Sequence, residues 1–358
     1  MELKNASDLE KMCRSIPPAD EAAVARSRAH WDGIAKPLNG LGEFETVVAR
    51  IAGLTGSEEM TLKKKAVVVF CADNGIVAEG VTQTDASVTA IMAGKIAQKQ
   101  SSVCGMARAA GADVFGVDVG MLRRVEGVRD FHVADGTANM AQGPAMTREQ
   151  ALQAIAAGVT MARELREQGY EILATGEMGI GNTSSSAAVA AVLLGLPVEQ
   201  VVGRGAGLSD EGLARKKRAV QRAIDVNRPD RENALDVLSK VGGFDIAGMV
   251  GLYLGGALYR VPVIIDGLIS CAAALLAAML CPNAVCAMVA SHCSAEPAAK
   301  MLLERLGLTA VIHAGLKLGE GTGAVCMMPL LDMALSVYNN SVSFTDTGID
   351  QYTPQEGK

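Results

Sequence analysis

Ala66-Val-Val-Val-Phe-Cys-Ala72 is an uninterrupted apolar run of strand length that stops at Asp73-Asn74-Gly75. A strand with no polar face has to be covered on both sides, which places it in a parallel sheet layered between helices. The same construction recurs at 113–120, 171–179, 261–267, 283–291 and 309–315, each run closing on Gly or Ser. Between the runs lie segments of helical pattern: Ala86 to Ala110, 148–168, Ser184–Leu194, 208–238 and Ala324–Val337. Strands that alternate with helices in this way predict an α/β fold on a mainly parallel sheet with helices on both faces. Residues 1–60 differ in texture, being polar, helical in pattern and broken by turn residues between Ala35 and Glu43; the tail beyond Asn340 reads as irregular.

Only 3% of the residues are aromatic, whereas 39 are Gly. A core of Ala, Val, Leu, Met and Gly suits helices packed closely on a sheet and argues against a β-sandwich. The net charge is −6 and no long basic run is present, which excludes the usual electrostatic footprint of a nucleic-acid partner. An anionic ligand would therefore need a positive potential built locally by its site. The eight cysteines form no C-x-x-C pair, so reduced thiols are expected and a structural metal site is not. No residue from Gly267 to Ser291 is charged, yet Pro282-Asn283 interrupts the stretch, and Asp266 and His292 bound it. It is read as a buried helix, a turn and a buried strand. With no membrane span and no apolar signal core at the start, a cytoplasmic location is expected.

In open parallel sheets ligands bind beyond the carboxyl ends of the strands. The residues that follow the predicted strands are Asp73, Asp118, Glu177, Asp266, Ser291-His292 and the loop Gly315–Gly323. Three glycine-rich loops stand out. Gly176-Glu-Met-Gly-Ile-Gly-Asn-Thr183 offers backbone amides and a helix N-terminus to an anion, with Thr183 a candidate cap for the helix that follows. Its spacing is like a P-loop, but Asn182 stands where that motif needs Lys; a tight strand-to-helix turn would read the same way. Gly203-Arg-Gly-Ala-Gly207 is followed by Arg215-Lys-Lys-Arg218, either a solvated basic face or, through Arg204 or Lys216, the local charge an anion needs. Lys317-Leu-Gly-Glu-Gly-Thr-Gly323 sets Glu320 among three glycines, as a solvated loop residue or as a general base in an apolar cleft.

The order of these pieces is distinctive. Lys36-Pro-Leu-Asn-Gly-Leu-Gly-Glu-Phe-Glu45, Ala72-Asp-Asn-Gly75, Gly136-Thr-Ala-Asn139, Gly143-Pro-Ala-Met146, Gly176–Thr183, Gly203–Gly212, Asp266-Gly267, Ser291-His292 and Gly319-Glu-Gly-Thr-Gly323 succeed one another through most of the chain. In this the chain resembles the nicotinate-nucleotide–dimethylbenzimidazole phosphoribosyltransferases, which assemble the nucleotide loop of cobamides.

The resemblance implies a Rossmann-like domain over 61–329, a small helical domain from 1–60 and 330–358, and a homodimer. It implies nicotinate mononucleotide and an aromatic base, 5,6-dimethylbenzimidazole or an analogue, as substrates, and no metal or other cofactor. Glu320 would be the catalytic base and Glu177 the second carboxylate. Phosphate and ribose would fall to Gly179, Gly181, Arg204, Lys216, Asp266 and either Ser291 or Ser294, and the base to Met178, Leu318 and Ala86. Two departures bear on the base. Family members commonly carry Ala-Asp-His-Gly where this chain has Asn74, and many carry Pro-Gln-Glu-Val-Thr where it has Asp85-Ala-Ser-Val-Thr89. Purines, substituted benzimidazoles and phenolic bases are all in play. The rival classes are a P-loop-like kinase or ATPase, which Asn182 opposes, and a non-catalytic nucleotide-binding paralogue, which the retained Glu320 and Glu177 oppose.

Overall fold

The structure, a computed structural model, describes residues 3–353; the outermost parts of the expected terminal helical domain, 1–2 and 354–358, lie outside them. Six strands form one sheet: β1 (Lys65–Ala72), β2 (Ala112–Gly120), β3 (Arg129–Asp130), β4 (Ile172–Met178), β5 (Val263–Ile265) and β6 (Met288–Ala290). Their order is β3-β2-β1-β4-β5-β6 and every neighbouring pair is parallel. All of β1 is buried. Its Val67, Val69 and Cys71 enter one core, and its Ala66, Val68, Phe70 and Ala72 enter the other. That is why its sequence shows no alternation.

The strand order reverses between β1 and β4. The chain first grows outward from β1 to β2 and β3, then returns to the other edge of β1. Loops leaving the two strands diverge at such a point and open a crevice beyond their carboxyl ends. Cys71 of β1 pairs with Met178 of β4, so Asp73 and Gly179 emerge side by side there.

On the Phe70 side, helices Arg148–Glu167 and Phe244–Leu258 lie against each other. A Cβ on Gly158 would run into the backbone of the second helix at Gly248, and one on Gly251 into the Ile155 carbonyl. Glycine at these positions lets the two backbones touch, which accounts for part of the glycine-rich, aromatic-poor composition. The second helix is buried on every side from Phe244 to Ala257. On the opposite side, helix Thr322–Asn340 packs with helices Glu21–Gly33 and Glu43–Thr55. Tyr338 meets Trp31 edge-on, with ring centroids 4.9 Å apart, and a single bridge joins Ile34 to Ser343. No described helix is long and apolar enough to cross a membrane; 267–291 forms helix Leu268–Leu280 and strand β6, but the strand expected over 283–291 is confined to Met288–Ala290 because Pro282–Ala287 winds into a 3₁₀ helix.

Several predicted elements need correction. The run 309–315 forms no strand; it makes one bridge, Ile312 to His292, because Val311 and Ile312 both direct their N–H groups at the Ser291 carbonyl. The segment 86–110 is two helices, Ser87–Ala97 and Ser102–Ala110, broken where Lys99 is left-handed and capped anew by Ser101. The segment 208–238 divides likewise at left-handed Arg228 and the proline after it. Gly181, not Thr183, sits at the cap of helix Asn182–Leu194, and the tail contains a short helix, Phe344–Thr347. Helix Phe244–Leu258 was not among the predicted elements.

The backbone contact between helices yields a test. Gly251→Val is expected to destabilise the protein by about 3 kcal/mol or more, the upper range for overpacking. It would appear as a lower urea midpoint at unchanged slope.

Candidate active site

β4 carries Glu177 to the crevice, and the chain then turns through Gly179 and Gly181. A Cβ on Gly179 would lie 2.8 Å from the Asp245 carboxylate and closer still to the Ala72 carbonyl, and Gly181 has φ +96°. Both places require glycine. The turn brings Asn182 between two carboxylates: its Nδ2 donates to Glu177 Oε2 and, at 2.8 Å, to Asp245 Oδ2. All three side chains are buried. In a P-loop this position would hold a lysine facing phosphate; here it is a buried amide already committed to the protein.

Glu320 comes from the opposite direction. Gly319, Glu320 and Gly321 are all left-handed, with φ of +86°, +61° and +93°. For a side chain other than glycine this costs on the order of 1–2 kcal/mol. Two carboxylates hold the segment in place. Glu177 Oε1 accepts from Glu320 N at 3.4 Å, and Asp266 accepts from Gly321 N at 3.2 Å and Ala324 N at 3.0 Å. The Glu320 side chain is buried, and its Oε2 accepts from Val103 N at 3.0 Å. That amide belongs to the first turn of helix Ser102–Ala110, where backbone N–H groups carry partial positive charge.

A cavity of about 180 Å³ joins these groups. Its lining includes Glu177, Met178, Gly179, Asp266, Ser294, Leu318 and Glu320 from the predicted set, with Thr183, Gly205 and Glu296. Lys216 lies directly behind: it is buried, and its Nζ donates to Thr183 Oγ1 at 2.8 Å. Glu296 accepts from Gly205 N at 3.0 Å. Gly181 and Arg204 line a second cavity of about 210 Å³ across the glycine turn, where Arg204 is ion-paired with Asp210. Ser291 and Ala86 line neither cavity. The Ser291 hydroxyl donates to the Ile265 carbonyl at 2.5 Å, whereas Ser294 faces the cavity. Ala86 starts helix Ser87–Ala97, whose Thr89 accepts from Ile180 N at 3.1 Å. Asp73 Oδ2 accepts from Leu122 N, and Asp118 Oδ1 accepts from Gly120 and Met121 N while its carboxylate also meets His132 and Arg124.

Asp245 and Glu296 are not among the sequence candidates, and Thr183 is there only as the end of the glycine loop and a candidate helix cap. The only signal for Asp245 was one acidic residue after Gly242-Gly243 at the start of an otherwise apolar stretch, a pattern shared with any helix cap.

Burial pushes the Glu177 carboxyl up to about 8, reinforced by the charge of Asp245. Burial likewise raises Asp245 to about 6 and raises Asp266, which the neighbouring His292 partly restrains. Lys216 is lowered by burial to about 8, against the pull of Glu296, and so remains largely charged at neutral pH.

For Glu177 the linkage has a definite sign. From its ordinary value of 4.5 up to about 8, the folded protein keeps a proton that the unfolded chain loses, so stability falls as pH rises through that window. Glu177→Gln removes this dependence. Its melting temperature relative to wild type is expected to rise steadily from pH 5 to pH 8, read by thermal denaturation.

A glycine turn at a sheet reversal, backed by a buried lysine and faced by carboxylates, suits an enzyme that handles a phosphorylated sugar. A family model described as a phosphoribosyltransferase matches residues 16–349, and the chain is of that class. A relative from Acetivibrio thermocellus, named nicotinate-nucleotide–dimethylbenzimidazole phosphoribosyltransferase, is 44% identical over 326 residues, covering 90% of this chain and 93% of its own. One of the same name from Clostridium acetobutylicum is 40% identical over 349 residues, with coverage of 97% and 99%. The crystal structure of CobT from Thermus thermophilus superposes with a TM-score of 0.87 at 40% identity, covering 92% of this chain and 100% of that one. The chain belongs to the nicotinate-nucleotide–dimethylbenzimidazole phosphoribosyltransferase family.

Proposed function

We propose that the cavity moves the 5-phosphoribosyl group of nicotinate mononucleotide to a benzimidazole-type base, giving an α-ribazole 5′-phosphate and nicotinate. The observation that carries this reading is the meeting of Glu177 and Glu320, 143 residues apart in sequence, in one cavity with a lysine-backed glycine turn. The substrate phosphate is assigned to the Gly179 and Gly205 end, with Ser294 and the charge of Lys216. Glu296, which accepts from the Gly205 amide, is the carboxylate a phosphate would displace. Arg204 and Gly181, on the far side of the turn, are secondary to it. Met178 and Leu318 flank the incoming base.

Glu320 takes the ring N–H proton of that base as the other ring nitrogen attacks C1 of the ribose. Attack from the face opposite nicotinate inverts the β-glycosidic configuration to α. As the C1–N bond to nicotinate loosens, positive charge spreads over the ribose, and Glu177 is the nearby group of opposite sign. Asp266 acts by fixing the backbone of the Glu320 segment. The working form is read as a homodimer of 37.1 kDa chains.

The reading is tested by incubating the purified protein with nicotinate mononucleotide and a mixture of candidate bases, and identifying products by mass; no base-dependent release of nicotinate would end it. Glu320→Gln is expected to lower kcat at least about 100-fold, the scale of general-base loss, with the KM for the mononucleotide unchanged. Lys216→Ala is expected to leave kcat within a few-fold and to raise that KM by roughly 10- to 100-fold, the worth of a hydrogen bond to a charged group. Steady-state kinetics separates the two.

A further inference from the structure

We propose that Asp245 is a positioning residue that acts on the substrate through Asn182 and Glu177, and that the mononucleotide binds with release of a proton held by these side chains. The inference rests on the functional reading above and deepens it.

Asp245 is fully buried and does not line the cavity. Its Oδ1 accepts from Ile246 N at 3.0 Å and its Oδ2 from Asn182 Nδ2 at 2.8 Å. The same Asn182 nitrogen also serves Glu177, so two carboxylates share one amide nitrogen. The groups that face Glu177 add no compensating charge. Helix Phe244–Leu258 presents Asp245, the end of β5 presents Asp266, and β1 presents the Cys71 thiol, pushed up by burial and therefore neutral. The segment carrying Glu320 presents its backbone N–H, and Asp73 adds its charge to the field at Asp245. Of the nearby basic side chains, Lys216 is engaged with Thr183, His292 lies against Asp266 and is held toward its neutral form by burial, and Lys317 is exposed.

Two bare carboxylates on one amide in a low-dielectric site repel strongly, and one proton relieves this. The raised values of both groups agree with that account. Nicotinate mononucleotide carries a positive pyridinium nitrogen bonded to C1. Brought against Glu177 it favours the anion, so the neutral acid becomes carboxylate and the proton passes to solvent. The charge that stabilises the transition state is thus created by substrate binding.

Titration calorimetry of nicotinate mononucleotide at pH 7, in two buffers of different ionisation enthalpy, counts the protons. Wild type is expected to release close to one per site and Glu177→Gln none. Asp245→Asn keeps an acceptor for Asn182 while deleting the charge, and is expected to release well under half as many. Beyond the shared titration of the substrate phosphate, wild-type Kd should tighten about tenfold per pH unit between 6 and 7, the limit for one linked proton. In Asp245→Asn the tightening should be less than about threefold. Binding without proton release in wild type, or equal release from Asp245→Asn, would overturn the inference while leaving the functional reading intact. Should Asp245→Asn fail to fold, undiminished release from Glu177→Gln would overturn it instead. No binding by wild type would sink both.

Discussion

One amide nitrogen, Nδ2 of Asn182, sits between the carboxylates of Glu177 and Asp245, and the arrangement at the reversal of the sheet follows from that sharing. The far oxygen of Glu177 accepts from the Glu320 backbone. Orientation therefore passes in steps from a helix buried on the Phe70 side, through an amide, to a loop that arrives from the other side of the sheet. The glycine at 179 is part of the same arrangement, since any side chain there would meet the Asp245 carboxylate. A lysine at 182 would neutralise the pair, but it would also end the hydrogen-bonded relay and fix both carboxylates as anions.

The loop that carries Glu320 is under conformational load. Three successive left-handed residues are held by Glu177 and Asp266, which take up backbone N–H groups at positions 320, 321 and 324. These carboxylates are costly to bury, and the cost is offset because each satisfies backbone donors that would otherwise be orphaned. The Glu320 side chain, for its part, rests on the first turn of helix Ser102–Ala110. Four segments distant in sequence thus meet within a few ångströms, and the site exists only when the whole sheet is assembled.

Much of this was legible before folding. β1, β2 and β4 are continuous apolar runs long enough to be read as strands, and the rule that ligands lie beyond strand ends pointed to Glu177, Asp266 and the Glu320 loop. What escaped had physical reasons. A helix buried on all sides, such as Phe244–Leu258, has no apolar stripe, so periodicity is silent about it, and Asp245 was hidden with it. The run 309–315 has a strand's composition, but its N–H groups converge on one carbonyl rather than laddering along β6. Ser291 and Ser294 could not be separated in sequence because three residues decide whether a hydroxyl points back into the sheet or forward into the cavity. Breaks at Lys99 and Arg228 depend on left-handed residues that are not glycine, for which composition gives no warning.

The dihedral angle at Glu320 sets local backbone strain against the role proposed for its side chain. Glycine at 320 would relax the backbone and remove a buried acid together, while giving up the hydrogen bond that the side chain accepts from Val103 N. If the general-base role proposed above holds, glutamate persists there in spite of its backbone strain, because turnover requires it.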